Sequence, residues 1–435
     1  MKIGLVQPNW TFAGSTYFGC PDTHFPLELF YARQQLRAAG HEALLLDSHI
    51  EGLDAAEASR RLADFAPDFV VLTTAPTYLF WRCPQPELRL PARWMQAIRE
   101  QCPNATTVAI GPHGSATPGA ALAKLGCDLV LLGEADQVLS QIATTPWSRL
   151  RGCAFQSERG VQINAGPHQA DMSALPALEY GEYPLPLRQH RHHVFSGSGR
   201  GAEIEASRGC PWACTFCNKT LFRNRFRPRP VAVVLEEATR LQRHGFDYLY
   251  FVDEIFGCAP STSELLSGLE PLALTFGIQT RIDLWNEESL AALGRAGCIS
   301  LECGIESITA EGRARFRKGC KLDNGRIETL LRRARSHIPW VQANLIANDE
   351  DDLAAIEDWR AALIADGVWV SQAVPVFAFP GTPLYTKLWG EPDDRAWERA
   401  HEHYLAVNRA RQYYSDIQDP RPDALAGLEA RREVA

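Results

Sequence analysis

The spacing of hydrophobic and polar residues alternates between two patterns along the first third of the chain. Short runs rich in leucine and β-branched residues are separated by longer stretches whose apolar residues recur at helical spacing. This alternation is typical of a parallel sheet covered by helices. We therefore predict five strands before residue 143: Ile3–Gln7, Ala43–Asp47, Phe69–Thr74, Thr107–Gly111 and Leu129–Gly133.

The stretch between the first two predicted strands has the signals of a helix. Pro26 suits its first turn, Leu29, Tyr31 and Leu36 would face inward, and Gly40 would end it before the next strand. The five strands and their helices predict a doubly wound domain. Such a domain binds its ligand beyond the carboxyl ends of the strands. The loops expected there are 9–25, 74–82, 112–116 and 134–137.

A second strand and helix series begins at residue 201. The preceding segment, 144–200, is rich in proline and has few periodic apolar runs, so we predict a linker with room for a small hairpin. Six strand and helix units fit an incomplete (β/α)6 barrel of TIM type over residues 201–385. The predicted strands are Glu203–Ser207, Tyr248–Asp253, Thr275–Thr280, Ile299–Gly304, Val341–Ile346 and Val370–Phe377. Residues 386–435 predict a helical cap.

Composition narrows the possible functions. The chain has 435 residues, of which 46% are hydrophobic and 22% charged, as expected for two or three globular domains. A formal net charge of −8 gives no basic surface for a nucleic acid, and no apolar run approaches the ~20 residues of a membrane span. The twelve cysteines are scattered, and no export signal precedes them, so we expect a cytoplasmic protein.

One tight trio stands out among these cysteines. Cys210, Cys214 and Cys217 are spaced by four and three residues, so their thiolates can close on one iron–sulfur cluster and leave its fourth iron without a protein ligand. A structural zinc site is the alternative, and it would need a fourth ligand, such as a histidine from 190–193. Those histidines lack zinc-finger spacing, so we favour the cluster.

This stretch resembles the CxxxCxxC motif of radical S-adenosylmethionine enzymes, with the aromatic Phe216 before the last cysteine. The resemblance implies a [4Fe–4S] cluster whose free iron chelates S-adenosylmethionine. It also implies contacts with that cofactor from residues at the ends of the barrel strands: Phe216, Asp253, Glu254, Arg281, Glu306 and Ser307. Carboxylates suit ribose hydroxyls and an ammonium, and a guanidinium suits a carboxylate. Structural ion pairs at the barrel rim are the alternative for each residue.

Two glycine-containing turns of the first predicted domain resemble the "GGPH" and "GEGE" turns of cobalamin-binding domains. Glycine lets a bulky cofactor approach the backbone closely. The implied cobalamin contacts are Thr74, Gly111, His113, Gly114, Gly133 and Glu134. Residues 47–52 also match the DxHxxG motif that brings a histidine to cobalt in other cobalamin proteins, but here the motif follows the second strand. His49 is either a cobalt ligand or a chance match, and we expect cobalamin without a protein histidine.

Together these features predict an α/β chain with an N-terminal doubly wound, Rossmann-like cobalamin-binding domain (1–143), a linker (144–200), a partial (β/α)6 radical S-adenosylmethionine barrel (201–385) and a C-terminal helical region (386–435). The resemblance implies a methyltransferase acting on an unactivated carbon of a small molecule. One S-adenosylmethionine would remethylate cobalamin, and a second would yield the 5′-deoxyadenosyl radical that abstracts substrate hydrogen. The expected partners are that small molecule and an electron donor such as flavodoxin or ferredoxin.

Two alternatives remain at this stage. A cyclase or rearrangement enzyme would use cobalamin without transferring a methyl group. A cluster-binding regulator would need neither Glu306 nor Arg281, so their presence argues against it. The sequence identifies neither the substrate nor a catalytic side chain. Cys20, Cys83 and Cys303 could face the reaction chamber, although a buried cysteine commonly serves as a small hydrophobic residue.

Overall fold

The N-terminal half is built on a seven-stranded sheet. In this computed structural model the described residues are 1–10, 23–77, 88–181, 183–185 and 200–410. The sheet has the order β2-β1-β3-β4-β5-β6-β7, in which the first five strands are parallel and the last two antiparallel. The strands are β1 (Lys2–Gln7), β2 (Glu42–Asp47), β3 (Phe69–Thr73), β4 (Thr106–Ile110), β5 (Leu129–Leu131), β6 (Cys153–Ser157) and β7 (Gly160–Asn164).

The five predicted strands are confirmed, but the predicted strand number was too small. The hairpin of β6 and β7 falls in the predicted linker, and β6 pairs antiparallel with β5, so it extends the sheet. The helices that cover the sheet are α1 (Leu27–Ala38), α2 (Ala55–Phe65), α3 (Arg89–Gln101), α4 (Pro112–Ala116) and α5 (Pro118–Leu125). Gly40 follows α1 with a φ of +82°, as its predicted role at the helix end requires.

Helix α1 has two buried faces. Leu29 and Leu36 pack on the N-terminal sheet, as predicted. Tyr31, which was predicted to face the same way, instead joins Phe25 and Phe30 in a core shared with the C-terminal half of the chain. This correction follows from the helix lying between two sheets, which the apolar spacing alone cannot indicate.

The C-terminal half contains six parallel strands in the order β8-β11-β12-β13-β14-β15, with a small antiparallel pair, β9 and β10, beside them. The strands are β8 (Gly201–Ile204), β9 (Ser207–Arg208), β10 (Arg227–Pro228), β11 (Tyr248–Phe251), β12 (Thr275–Thr280), β13 (Cys298–Glu306), β14 (Trp340–Leu345) and β15 (Trp369–Val370). Six parallel strands are thus confirmed. Two predicted strands differ from the observed bounds by three residues or more: the first ends at Ile204 and the last at Val370, because the chain leaves the sheet after both. The other bounds differ by at most two residues.

Helices alternate with these strands. They are α6 (Val231–Arg243), α7 (Thr262–Leu269), α8 (Glu287–Arg295), α9 (Ala310–Arg315), α10 (Asn324–His337), α11 (Leu353–Ala365), α12 (Pro383–Trp389) and α13 (Ala396–Ala410). Helix α13 returns to the N-terminal half, where the Trp397 indole donates a hydrogen bond to Thr117 Oγ1 at 2.9 Å. Among the described helices, none is long and apolar enough to cross a membrane.

Candidate functional site

The three motif cysteines lie in a loop that leaves β9 through Gly209. This glycine has a φ of +84°, and a Cβ there would lie 2.0 Å from the carbonyl oxygen of Arg225, so no other residue fits the turn. The N–H of Cys210 donates to the Arg223 carbonyl at 3.0 Å, and that of Cys217 donates to the Cys214 carbonyl at 3.2 Å. The loop is therefore held in place by its backbone.

Burial raises the pKa of all three motif thiols, and that of Cys217 reaches about 12. Iron would have to displace their protons. Within the described part of the chain, no group of three or more His, Cys, Asp or Glu side chains could hold a single metal ion. A zinc ion needs four ligands around one centre, whereas a polynuclear cluster takes each thiolate on a different iron. Three thiolates suit such a cluster, and their role as its ligands stays a prediction; the histidines of 190–193 lie outside the described residues.

Two contacts that the sequence did not indicate fasten the cysteine loop. The buried ammonium of Lys219 donates to the carbonyls of Cys210, at 2.5 Å, and Trp212. Phe216, the predicted aromatic, packs edge-on against Phe316 with the ring centroids 5.6 Å apart. A lysine inside a cysteine motif carries no local signal for this role, because its acceptors are backbone carbonyls.

Asp253 and Glu254 follow β11 and bind the segment that enters the cysteine loop. Asp253 accepts from the Ala206 N–H at 3.0 Å and from the Ser207 hydroxyl. Glu254 accepts from the Gly209 N–H at 2.7 Å. Burial raises the pKa of Asp253 to about 7. Both carboxyl groups therefore position the loop, and their contact with S-adenosylmethionine stays a prediction.

Glu306 lies at the end of β13 in a strained conformation. Its φ is +70°, unusual for a residue other than glycine, and the ladder with β14 is irregular between Gly304 and Glu306. Its carboxylate pairs with Lys318 at 2.7 Å, and a Cβ on Gly304 would lie 2.5 Å from Glu306 Oε1. Burial alone would lower the pKa of Lys318, but Glu306 and Cys214 raise it, so the ammonium is charged.

Arg281 joins this pair to the cysteine loop. Its guanidinium binds Asp283 through two bonds of 2.9 and 2.6 Å, donates to the Lys318 carbonyl, and lies 4.3 Å from the ring centroid of Trp212. The structure thus brings Arg281, Glu306 and Lys318 together beside the motif cysteines. With Asp283, the arrangement places two carboxylates and two cations where a zwitterionic ligand is expected.

Ser307 is engaged in a clamp between the ends of β13 and β14. Its hydroxyl donates to Asp351 at 2.6 Å, and the same carboxylate accepts from the Ile308 N–H at 3.1 Å and the Thr309 hydroxyl at 2.6 Å. A Cβ on Gly312 would lie 2.1 Å from Ser307 Oγ, so the helix start is closely packed. The clamp holds the backbone next to Glu306; a contact between Ser307 and a cofactor stays a prediction.

The predicted cobalamin residues lie at the carboxyl edge of the N-terminal sheet, in different surroundings. His113 is fully buried, its Nδ1 is 3.0 Å from Thr74 Oγ1, and its ring centroid is 4.2 Å from that of Trp397. Gly111 has a φ of +129°, which demands glycine. A Cβ on Gly114 would lie 2.3 Å from Val130, so this glycine permits close packing of α4 on β5.

The turn after β5 packs against protein. A Cβ on Gly133 would lie 2.4 Å from the His168 carbonyl oxygen. The fully buried carboxylate of Glu134 pairs with Arg223 at 2.8 Å and Arg227 at 2.6 Å. Burial alone would raise the pKa of Glu134, but Arg223 and Arg208 hold it at about 2. Its side chain is therefore committed to guanidinium groups, and its N–H donates to the His168 carbonyl at 3.0 Å. A contact between Glu134 and cobalamin stays a prediction.

Glu134 belongs to a buried charge cluster between the two halves of the chain. We define this charge cluster as Glu28, Glu134, Asp136, Glu205, Arg208, Arg223, Arg227 and Glu254. Arg223 alone binds carboxylates from three segments, at 2.8 Å to Glu28, 2.8 Å to Glu134 and 2.6 Å to Glu254. With five carboxyl groups and three guanidinium groups, some carboxyls stay protonated. Accordingly, burial raises the pKa of Glu28 to about 8.

The remaining predicted residues lie apart from these contacts or outside the described residues. His49 follows β2, the edge strand, and is buried; Asp47 accepts from its N–H at 3.2 Å and from the Tyr183 hydroxyl at 2.6 Å. Cys303 is buried within β13, and burial raises its pKa. Cys20 and Cys83 are outside the described residues.

Comparisons with known proteins agree with this architecture. The B12 binding domain family matches residues 20–143, and the Radical SAM superfamily matches residues 204–359. An uncharacterized methyltransferase of Pyrococcus horikoshii is 27% identical over 321 residues, covering 71% of this chain and 66% of that protein. The chain therefore spans about two thirds of the length of this relative.

Two further comparisons cover more of the chain. The hopanoid C-3 methylase of Methylococcus capsulatus is 28% identical over 399 residues, covering 88% of this chain and 71% of that protein. The structure of the radical S-adenosylmethionine methyltransferase TsrM from Kitasatospora setae, with cobalamin and a [4Fe–4S] cluster bound, superimposes with a TM-score of 0.69 at 18% identity, covering 88% of this chain and 76% of that one. With its B12-binding domain followed by a radical S-adenosylmethionine domain, the chain belongs to the cobalamin-dependent radical S-adenosylmethionine enzymes.

Proposed function

We propose that this enzyme transfers a methyl group to an unactivated carbon of a small molecule. The observation that carries the proposal is the joining of the two candidate cofactor sites within one packed unit. Arg223 binds Glu134 at the end of the N-terminal sheet and accepts a hydrogen bond from Cys210 through its own carbonyl. The similarity to a methylase and to other methyltransferases supports methyl transfer as the reaction.

The residues around the cysteine loop suit the cofactors of the family. Cys210, Cys214 and Cys217 would hold the [4Fe–4S] cluster. When bound, the cluster and cobalamin supply the electron and the methyl carrier for this chemistry. The protein's own contribution is to bind and orient, as the contacts of Glu306 and Lys318 illustrate.

Glu306, Lys318 and Arg281 provide the charges that S-adenosylmethionine requires beside the cysteines. A carboxylate can accept from an ammonium or ribose hydroxyls, and the two cations can bind a carboxylate. Lys318 is almost fully buried, which strengthens its electrostatic contacts. The strained φ of Glu306 persists because the Lys318 pair and the close approach of Gly304 hold it. These three side chains would therefore fix the ligand before any reaction begins.

The partners and the compartment follow from the same proposal. An external donor such as flavodoxin or ferredoxin would supply electrons, and the substrate would be a small molecule. We place the enzyme in the cytoplasm because the ten cysteines in the described regions are all free, as a reducing compartment favours. The proposed domain limits are those predicted from the sequence, except that the N-terminal domain extends through β7 to Asn164.

An isotope experiment tests methyl transfer. The anaerobically reconstituted enzyme is incubated with a reductant, a host metabolite extract and S-adenosylmethionine labelled in its methyl group, and the products are analysed by mass spectrometry. We expect a labelled product that Glu306→Ala fails to form, because that variant loses the carboxylate that holds the ligand. Glu287→Ala, which changes a carboxylate 55% exposed on α8, should retain activity.

The result would go against the proposal if S-adenosylmethionine were consumed while no metabolite acquired the label. Equal activity of Glu306→Ala and Glu287→Ala would instead show that the ligand is held elsewhere. The first outcome tests the proposed reaction, and the second tests the proposed binding site for S-adenosylmethionine.

A further inference from the structure

The strand order of the N-terminal sheet defines where a ligand enters. β1 is flanked by β2 on one side and β3 on the other, and all three strands are parallel. The order in which the chain adds strands to the sheet therefore reverses between β1 and β3. In open parallel sheets the ligand occupies the crevice outside the carboxyl ends of the two strands at such a switch point. Here those ends lead directly to Trp10, after β1, and Thr77, after β3.

Two polar atoms at this switch point are buried without a hydrogen-bond partner among the described residues. Trp10 is 2% exposed and Thr77 is 6% exposed, and in the described ranges neither the indole Nε1 nor the hydroxyl Oγ1 has a partner. At the same edge, Thr73 donates to Gln7 at 3.0 Å and Thr74 lies 3.0 Å from His113 Nδ1. The buried hydroxyl of Ser48, after the edge strand β2, also lacks a partner among the described residues. Buried polar atoms are nearly always paired, so two orphans after adjacent strands point to a missing ligand.

The Trp10 ring is fixed by apolar packing. It contacts Tyr404 and Leu405 of α13, with Leu90 and Phe377 packed against the same group. Phe377 follows β15, and its ring centroid is 4.6 Å from that of Tyr404. The indole N–H is thus held where the N-terminal sheet, the C-terminal strands and helix α13 meet. A donor fixed in this way would lose little conformational freedom on binding.

We propose that the Trp10 N–H and the Thr77 hydroxyl donate hydrogen bonds to amide carbonyl groups on the side chains of the cobalamin corrin ring. An indole nitrogen can only donate, so its partner must be an acceptor, and the corrin periphery carries several amide carbonyls. This inference rests on the proposed function, because it takes cobalamin as the ligand. It adds two residues that neither the motifs nor the glycine turns indicated.

The test measures cobalamin affinity and the thermal midpoint of the apoprotein. Thr77→Val keeps the side-chain shape and removes the hydroxyl, whereas Trp10→Phe removes the indole N–H together with its five-membered ring. Each should weaken the binding of hydroxocobalamin, measured by absorption titration, by about tenfold. The Thr77→Val apoprotein should be at least as stable as the wild-type apoprotein, because an unpaired buried polar group is gone. The Trp10→Phe apoprotein should be less stable, because its smaller ring leaves a cavity beside Tyr404.

Trp147→Phe is the matched control. The Trp147 indole donates to the Ile142 carbonyl at 3.2 Å, so its replacement should lower the midpoint of the apoprotein and leave cobalamin affinity unchanged. A purely structural role for Trp10 would give this same pattern in Trp10→Phe. Unchanged hydroxocobalamin affinity in both Trp10→Phe and Thr77→Val would overturn the inference while leaving the proposed function intact. A wild-type protein that binds no hydroxocobalamin would overturn both.

Discussion

Replacing Arg223 by methionine should destabilise the protein far more than the loss of a surface ion pair. The Arg223 side chain is 5% exposed and binds three carboxylates within 2.8 Å. In Arg223→Met, Glu134 keeps Arg227 at 2.6 Å and Glu254 keeps the Gly209 N–H at 2.7 Å. Glu28 loses the nearest cation in the charge cluster. Breaking a buried ion pair from one side costs about 3–5 kcal/mol. Here the cost falls on Glu134 and Glu254, which each lose a cationic partner, because Glu28 stays protonated below about pH 8.

Urea denaturation followed by circular dichroism measures this cost. Arg332→Met is the control: Arg332 is 38% exposed and pairs with Glu328 and Asp366, so its loss should cost about 0–1 kcal/mol. Adding Glu28→Gln to Arg223→Met should change the stability little at pH 7, because Glu28 is already protonated there. If Arg223→Met is no less stable than Arg332→Met, the charge cluster does not join the two halves of the chain as argued.

Three further predictions concern the cofactors and the charge cluster. The reconstituted wild type should contain about four iron atoms per chain, and Cys217→Ser should lose them. Cys258→Ser changes a half-buried cysteine outside the motif and should keep the iron. A full iron content in Cys217→Ser would refute the cluster assignment. His49→Ala should leave cobalamin affinity and its visible spectrum unchanged, and a nitrogen hyperfine splitting on Co(II) that this variant loses would contradict us. Because the folded protein holds the Glu28 proton up to about pH 8 and the unfolded chain releases it near 4.5, stability should fall as pH rises through this window. Glu28→Gln should remove a slope of up to about 1.4 kcal/mol per pH unit, and an identical slope in both proteins would argue against a raised pKa.

Much of the fold could be predicted from the sequence because buried parallel strands are short apolar runs bounded by turn residues. β12 was predicted at its observed bounds, Thr275–Thr280, and β1 to within one residue. The hairpin of β6 and β7 was anticipated only as a possible feature of the linker. Its place in the sheet depends on pairing with β5, and such long-range pairing leaves no local pattern.

Site residues that are close together in the sequence could be predicted, and those that depend on distant partners could not. The spacing of the three cysteines predicts a cluster motif, but the role of Lys318 is clear only from its ion pair with Glu306. Glu134 was predicted to contact cobalamin because it lies in a turn that resembles one in cobalamin-binding domains. The structure buries its side chain against Arg227, 93 positions away in the sequence, and no local signal marks that pairing.

The ratio of two products tests the account's central claim most directly. Methyl transfer that draws both the methyl group and the radical from S-adenosylmethionine must form S-adenosylhomocysteine and 5′-deoxyadenosine in roughly equal amounts. With the substrate identified, both products should be quantified over a time course of the anaerobic reaction. We predict a ratio close to one and a product heavier by one methyl group. Formation of 5′-deoxyadenosine without S-adenosylhomocysteine, with a product of unchanged carbon count, would contradict methyl transfer and identify a cyclisation or rearrangement.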